Sequence, residues 1–253
     1  MATPRFLITS TAAALALQSF GFLNAPIQTP SAFNPLGLAA PALAAKTTYR
    51  PPLRPRPTLR TDGTGSRGCY QKNQPVLLSL LVPERHVGQT VSARPSFLWY
   101  LENAKFAKFA LVETGVPKPL LEKTLQASRA GIMRVELPKD APELAVGKEY
   151  RWSVTVLCNP NRPSDVVSYT QSFIERVAAT SELIRQLGSA KSDLERARIY
   201  AQSGLWYDTL SVLSAASEKD PIARSEMLSL LEQVGLSNVT KQARKNEQAA
   251  KLR

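Results

Sequence analysis

Between residues 76 and 176 apolar and polar positions alternate over short stretches separated by turn residues, the pattern of an antiparallel sandwich rather than of strand–helix units. The predicted strands are 76–82, 95–101, 106–113, 120–127, 132–137, 148–158 and 166–176. In the sixth, Tyr150, Trp152, Val154, Val156 and Cys158 fall on one face and Arg151, Ser153 and Thr155 on the other. Phe97 and Trp99 supply a matching aromatic face on the second strand. These aromatics are read as core rather than as a platform for carbohydrate.

Seven strands in about a hundred residues fits the immunoglobulin- or fibronectin-like class. The approach to the sixth strand, Leu144-Ala145-Val146-Gly147-Lys148-Glu149-Tyr150, resembles the corner found in such domains, where a tyrosine hydroxyl bonds back to a nearby backbone group. In the loop that follows the strand, Asn159-Pro160-Asn161-Arg162-Pro163-Ser164-Asp165, two prolines fix the turn and the Asx side chains can satisfy local amides. With one carboxylate, this loop is a poor calcium site.

After Arg176 the apolar period changes to that of helices, with Leu183, Leu187, Leu194, Ala197, Ile199, Tyr200, Leu205, Leu210, Val212 and Leu213 on the pattern and breaks at Gly188 and Gly204. Tyr200, Gly204, Thr209, Leu213, Ala216 and Pro221 stand at the spacing of the second half of a tetratricopeptide repeat. A further helix is predicted over 225–234, closing at Gly235. One such unit cannot bury its own apolar face and must dock on the sandwich or on a partner. The predicted fold is therefore α+β, a β-sandwich followed by a small tetratricopeptide-like helical hairpin region.

The flanks differ in composition. Arg5 precedes an apolar stretch, and Ala39-Ala40-Pro41-Ala42-Leu43-Ala44-Ala45 has the small residues of a signal-peptidase site, so 1–45 is read as a signal peptide, with a transit peptide or a retained anchor as the alternative. Residues 46–75 form a proline- and arginine-rich linker expected to be extended and solvated. The sandwich is then 76–176, the helical region 177–237, and 238–253 a basic tail expected to fray. The 253 residues carry 32 lysines and arginines against 20 acids, a balance of +12 that favours anionic partners. Arg50, Arg54, Arg56 and Arg60 in the arm and Lys241, Arg244 and Lys245 in the tail are the candidates for an anionic surface.

Two cysteines in an exported chain pair by default, so a disulfide is expected between Cys69 and Cys158, with two buried thiols as the alternative. A bridge closing so long a loop would stabilise by about 4–5 kcal/mol in the chain-entropy model. The single histidine, His86, lies in a turn-like segment ending at Gly88 and is read as a surface residue. Gly63-Thr64-Gly65-Ser66-Arg67-Gly68 matches the dinucleotide fingerprint by letter but lacks the strand–turn–helix setting that aims amides at a pyrophosphate. No metal site, cofactor or recognisable catalytic set is expected.

Several blocks in order carry a family resemblance: Gly65-Ser66-Arg67-Gly68-Cys69, Leu80-Leu81-Val82-Pro83-Glu84, Ser92-Ala93-Arg94-Pro95-Ser96-Phe97-Leu98-Trp99-Tyr100, Gly147-Lys148-Glu149-Tyr150-Arg151-Trp152, Leu157-Cys158-Asn159-Pro160-Asn161 and Ala197-Arg198-Ile199-Tyr200-Ala201-Gln202-Ser203-Gly204-Leu205-Trp206-Tyr207-Asp208. The chain resembles a cyanobacterial family of exported proteins classed only as domain of unknown function (DUF) 928. The resemblance runs from about Arg67 to Leu236 and implies an envelope setting without a mechanism.

The function expected is a non-catalytic protein-interaction or scaffold module, exported to the periplasm or medium or to a thylakoid lumen, with an envelope protein as partner and no nucleic acid. Tyr200, Trp206, Tyr207 and Asp208 are the candidate partner-contact residues, against the reading that Trp206 and Tyr207 seal the helices to the sandwich. The alternatives are adhesion to anionic polysaccharide or lipid headgroups through the basic arms, and an unrecognised hydrolase.

Overall fold

Each predicted strand from 76 onward is present in the computed structural model, which describes residues 46–52, 61–64, 75–162 and 164–251. Among the described residues nine strands form two sheets. The smaller has the order β2 (Leu77–Leu80), β4 (Ser96–Glu102), β7 (Gly131–Glu136) and is antiparallel throughout. The larger has the order β1 (Thr61–Thr64), β9 (Val166–Arg176), β8 (Glu149–Leu157), β5 (Phe106–Glu113), β6 (Pro119–Gln126). A short strand, β3 (Gly88–Thr90), joins the larger sheet parallel to β9 opposite Ile174 to Arg176.

The two strands that escaped prediction, β1 and β3, have no apolar alternation. Thr-Asp-Gly-Thr and Gly-Gln-Thr are held by backbone pairing with β9, which leaves no trace in a hydropathy pattern.

The sheets meet face to face through rings. Phe97 on β4 lies 5.1 Å from Phe109 on β5 and 5.2 Å from Trp152 on β8, and Trp99 stacks on Phe109 at 6.1 Å. Strand β8 alternates as expected, with Tyr150, Trp152, Val154 and Val156 buried and Arg151 exposed. Strand β4 does not alternate: Ser96 to Leu101 are all buried. Its inner face meets the larger sheet and its outer face meets helices, where Ser211 Oγ bonds Ser96 Oγ at 3.2 Å and Asn246 Nδ2 donates to the Tyr100 hydroxyl at 2.8 Å. A strand covered on both sides reads as a continuous apolar run.

At the corner before β8, the Ala145 amide donates to the Tyr150 hydroxyl at 2.8 Å. Gly147 takes the left-handed conformation at φ 78, and its amide bonds the Arg176 carbonyl at 2.7 Å. A side chain at that φ would be strained, so the glycine lets the chain turn into β8.

The helices that follow among the described residues are α1 (Ser181–Ser189), α2 (Asp193–Gln202), α3 (Trp206–Ala216), α4 (Pro221–Gln233) and α5 (Ser237–Lys251). Thr180 and Ser192 cap the first two through their hydroxyls, accepting from Leu183 N and Glu195 N. Helix α1 runs through Gly188, where a break was predicted. Helix α4 starts earlier than predicted, because Asp220 caps it and Pro221 occupies a first-turn position that needs no amide. Sheets and helices belong to one compact unit, 45–253.

Two flanking expectations need correction. The segment 238–253, expected to fray, is helical through Lys251. Val239 and Thr240 are buried, and Ala243, Asn246 and Glu247 half-buried at helical spacing, while Lys241, Arg244 and Lys245 face solvent. The count of basic residues hid this stripe. The first part of the predicted linker, 46–52, forms neither helix nor strand, and it is docked rather than solvated: Thr47 and Tyr49 are buried. No helix among the described residues is long and apolar enough to cross a membrane.

Candidate functional site: the helix–sheet joint and its occupied groove

Helix α3 opens on Trp206-Tyr207-Asp208, and all three enter the body. The Trp206 indole donates to the Leu81 carbonyl at 2.9 Å. The Tyr207 hydroxyl accepts from Trp152 Nε1 at 2.8 Å and donates to the Phe173 carbonyl at 3.1 Å, bridging helix, β8 and β9. Gly88 on β3 admits the Tyr207 ring, for a Cβ there would stand 2.8 Å from Cε2. The Asp208 carboxylate accepts the Val91 amide at 3.1 Å and clamps the segment between β3 and β4. Burial raises the Asp208 carboxyl to about 6, against the pull of hydrogen bonds from Thr90, Val91 and Ser92.

Of the four residues proposed for partner contact, the structure therefore places Trp206, Tyr207 and Asp208 in the interior, 0%, 2% and 8% exposed, sealing helices to sheets. Tyr200 stays half-buried at the rim. It lines a polar cleft of about 330 Å³ with Thr90, Ser92, Arg94 and Ser211. A larger groove of about 890 Å³ runs between β7 and helices α4 and α5.

His86 is buried, 6% exposed, and not a surface residue. Its ring stacks on Tyr49 at 5.6 Å and its Nε2 shares a 2.8 Å hydrogen bond with the Tyr49 hydroxyl. Burial lowers its pKa from the ordinary imidazole value. The Tyr49 hydroxyl also reaches the Gly204 carbonyl at 3.3 Å, and its ring sits edge-on to Trp206 at 5.1 Å.

The rest of the strap 46–52 is held by polar groups of the helices. Glu226 on α4, itself buried, accepts from the Thr47 amide at 3.2 Å and from the Thr47 hydroxyl, and pairs with Arg198 of α2 at 2.5 Å. The Gln233 side chain works in both directions on the strap backbone: Oε1 accepts from Tyr49 N at 3.1 Å, and Nε2 donates to Thr47 O at 3.0 Å. The Arg50 amide then donates to Ala201 O at 3.0 Å. Gly204, at φ 76, lets the strap approach, since a Cβ there would lie 3.1 Å from the Arg50 carbonyl.

None of Tyr49, His86, Glu226 or Gln233 was singled out as a site residue from sequence. A tyrosine inside a proline–arginine stretch and an acid on the apolar face of α4 were the available signals.

Four of the seven basic candidates lie among the described residues. Arg50 is exposed beside its docked backbone, and Arg244 pairs with Glu232 at 2.9 Å. Lys241 and Lys245 are exposed on α5. Residues 1–45, Arg54, Arg56, Arg60 and Cys69 lie outside the described residues. Cys158 follows β8, its amide bonding the Asp165 carbonyl at 3.1 Å, and Asn159 Oδ1 accepts from Asn161 N at 2.9 Å within the loop.

These features define an α+β protein of two mostly antiparallel sheets with a helical layer locked to them. The chain belongs to the family described as Domain of Unknown Function (DUF928), whose model matches residues 62–244. No curated protein matches it.

Proposed function

We propose that this chain is an exported, non-catalytic protein-interaction or scaffold module. The observation that carries the reading is that α2, α4 and the α2–α3 turn grip an extended segment by its backbone, through Gln233 and Ala201. Groups that pair with the main chain of a strand-like segment do what a peptide-recognition surface does. The finer architecture belongs to the same proposal. The order β2-β4-β7 facing β6-β5-β8-β9, with the Tyr150 corner, supports an immunoglobulin- or fibronectin-like sandwich. The glycine turn at Gly204 between α2 and α3 supports a tetratricopeptide-like pair.

Export rests on the leader-like 1–45, and a bridge from Cys69 to Cys158 would follow from it. A peptide map without reductant tests the bridge: one crosslinked peptide carrying both cysteines is expected, and two alkylatable thiols in the native protein contradict it. Crosslinking of a tagged copy in cells, with mass spectrometry of what is retained, tests the function. A defined polypeptide held through high salt is expected. Retention of anionic polymer alone, lost as salt rises, would instead favour adhesion through Lys241, Lys245 and the arm.

A further inference from the structure

We propose that the groove holding residues 46–52 is a peptide-binding site filled in cis, and that its ligand in trans is an extended segment of a partner protein bearing a hydroxyl residue and, two positions on, a tyrosine. The inference rests on the interaction-module reading and names the ligand class of that same surface. The strap shows what the site selects. Glu226, charge-paired to Arg198, takes a hydroxyl and an amide at Thr47. Gln233 clasps the backbone across Thr47 and Tyr49, which accepts any side chain between them. A phenol then enters the slot between His86 and Trp206 and finds hydrogen-bond partners at its far end.

Two further observations separate the groove from its occupant. His86, Arg198, Trp206, Glu226 and Gln233 all lie inside the matched family region 62–244, and the strap lies before it. The helices and sheets lock to each other through Trp206, Tyr207 and Asp208 without using the strap. A partner, rather than a second copy, is the occupant, because another copy offers the identical strap and gains nothing over one tethered beside the groove. Tethering gives the cis strap an effective concentration of about a millimolar, so a displacing segment must bind more tightly or be presented locally.

The test uses the full chain and a fluorescent peptide of residues 46–52, Lys-Thr-Thr-Tyr-Arg-Pro-Pro. The wild-type chain should take up the peptide only near millimolar concentration. A T47A/Y49A chain, with its cis strap loosened, should bind it at one site and at least about tenfold more tightly. Adding Gln233→Ala, or using a peptide with alanine for tyrosine, should remove that gain. If T47A/Y49A does not fold, Thr47→Val carries the same titration.

A folded strap variant that binds no better than wild type overturns the proposal, as does a wild-type dimer with exchanged straps, which would make a second copy the occupant. Failure here is distinct from failure of the broader reading. A partner captured in cells regardless of Gln233 keeps the scaffold and removes the groove, whereas peptide binding without a cellular partner does the reverse.

Discussion

The Trp152 indole in the middle of β8 donates to the Tyr207 hydroxyl on α3 at 2.8 Å, and both side chains are buried. That bond, with those of Trp206 to the Leu81 carbonyl and Asp208 to the Val91 amide, ties the first turn of α3 to the core of the sheets. Tyr207→Phe keeps the ring but leaves Trp152 Nε1 and the Phe173 carbonyl without this partner, at a cost of about 1–3 kcal/mol. A lower urea midpoint at unchanged slope is the expected result. Gly88→Ala should destabilise by a similar amount, about 1–3 kcal/mol, because its methyl meets the same ring.

Asp208 sets a pH dependence of unusual sign for a carboxylate. Its folded value of about 6 lies above the ordinary 3.8, so the native state holds the proton more tightly than the unfolded chain. Its contribution is therefore most favourable below the ordinary value and is lost as pH rises through about 6, amounting to about 3 kcal/mol. Asp208→Asn should abolish that loss in denaturation curves taken between pH 4 and 7, about the window between the two values.

His86 works in the opposite direction. With its pKa lowered by burial, its stabilising share is present above the ordinary imidazole value and fades as pH falls below it. Once Asp208 is neutralised by substitution, the stability remaining should decline toward acid. His86→Gln in the same background should lessen that decline.

Glu226 and Arg198 test the strap's anchor. Removing one partner of a pair this buried strands the other charge, so Glu226→Ala should cost about 3–5 kcal/mol. Replacing both with apolar residues of similar volume should cost much less. A double-mutant cycle by chemical denaturation reads the difference.

The sheets were legible because their signals are local. Tyr150, Trp152, Val154 and Val156 alternate, and Phe106–Glu113 and Val166–Arg176 stand within their predicted bounds. The joint was legible only as residue types. Trp206 and Tyr207 are large amphipathic side chains that suit an interface and an interior equally, and only the cavity at Gly88 and the waiting Trp152 indole decide between them. The strap was not legible, because its contacts are long-range. Thr47 meets Glu226 and Tyr49 meets Gln233 across most of the chain, Tyr49 meets His86 across 37 positions, and no periodicity records such pairings. Basic residues on α5 concealed a buried face of mixed polarity in the same way, by dominating a composition count.

Hydrogen exchange at two adjacent amides tests most directly whether the helices grip a peptide segment. Tyr49 N donates to Gln233 and Arg50 N to the Ala201 carbonyl, so both amides of the intact protein should exchange far more slowly than in an unfolded chain. In Gln233→Ala, Tyr49 should lose protection first. Free exchange of both amides in the folded wild-type protein would mean that the strap is not held and that the helices present no peptide-gripping surface.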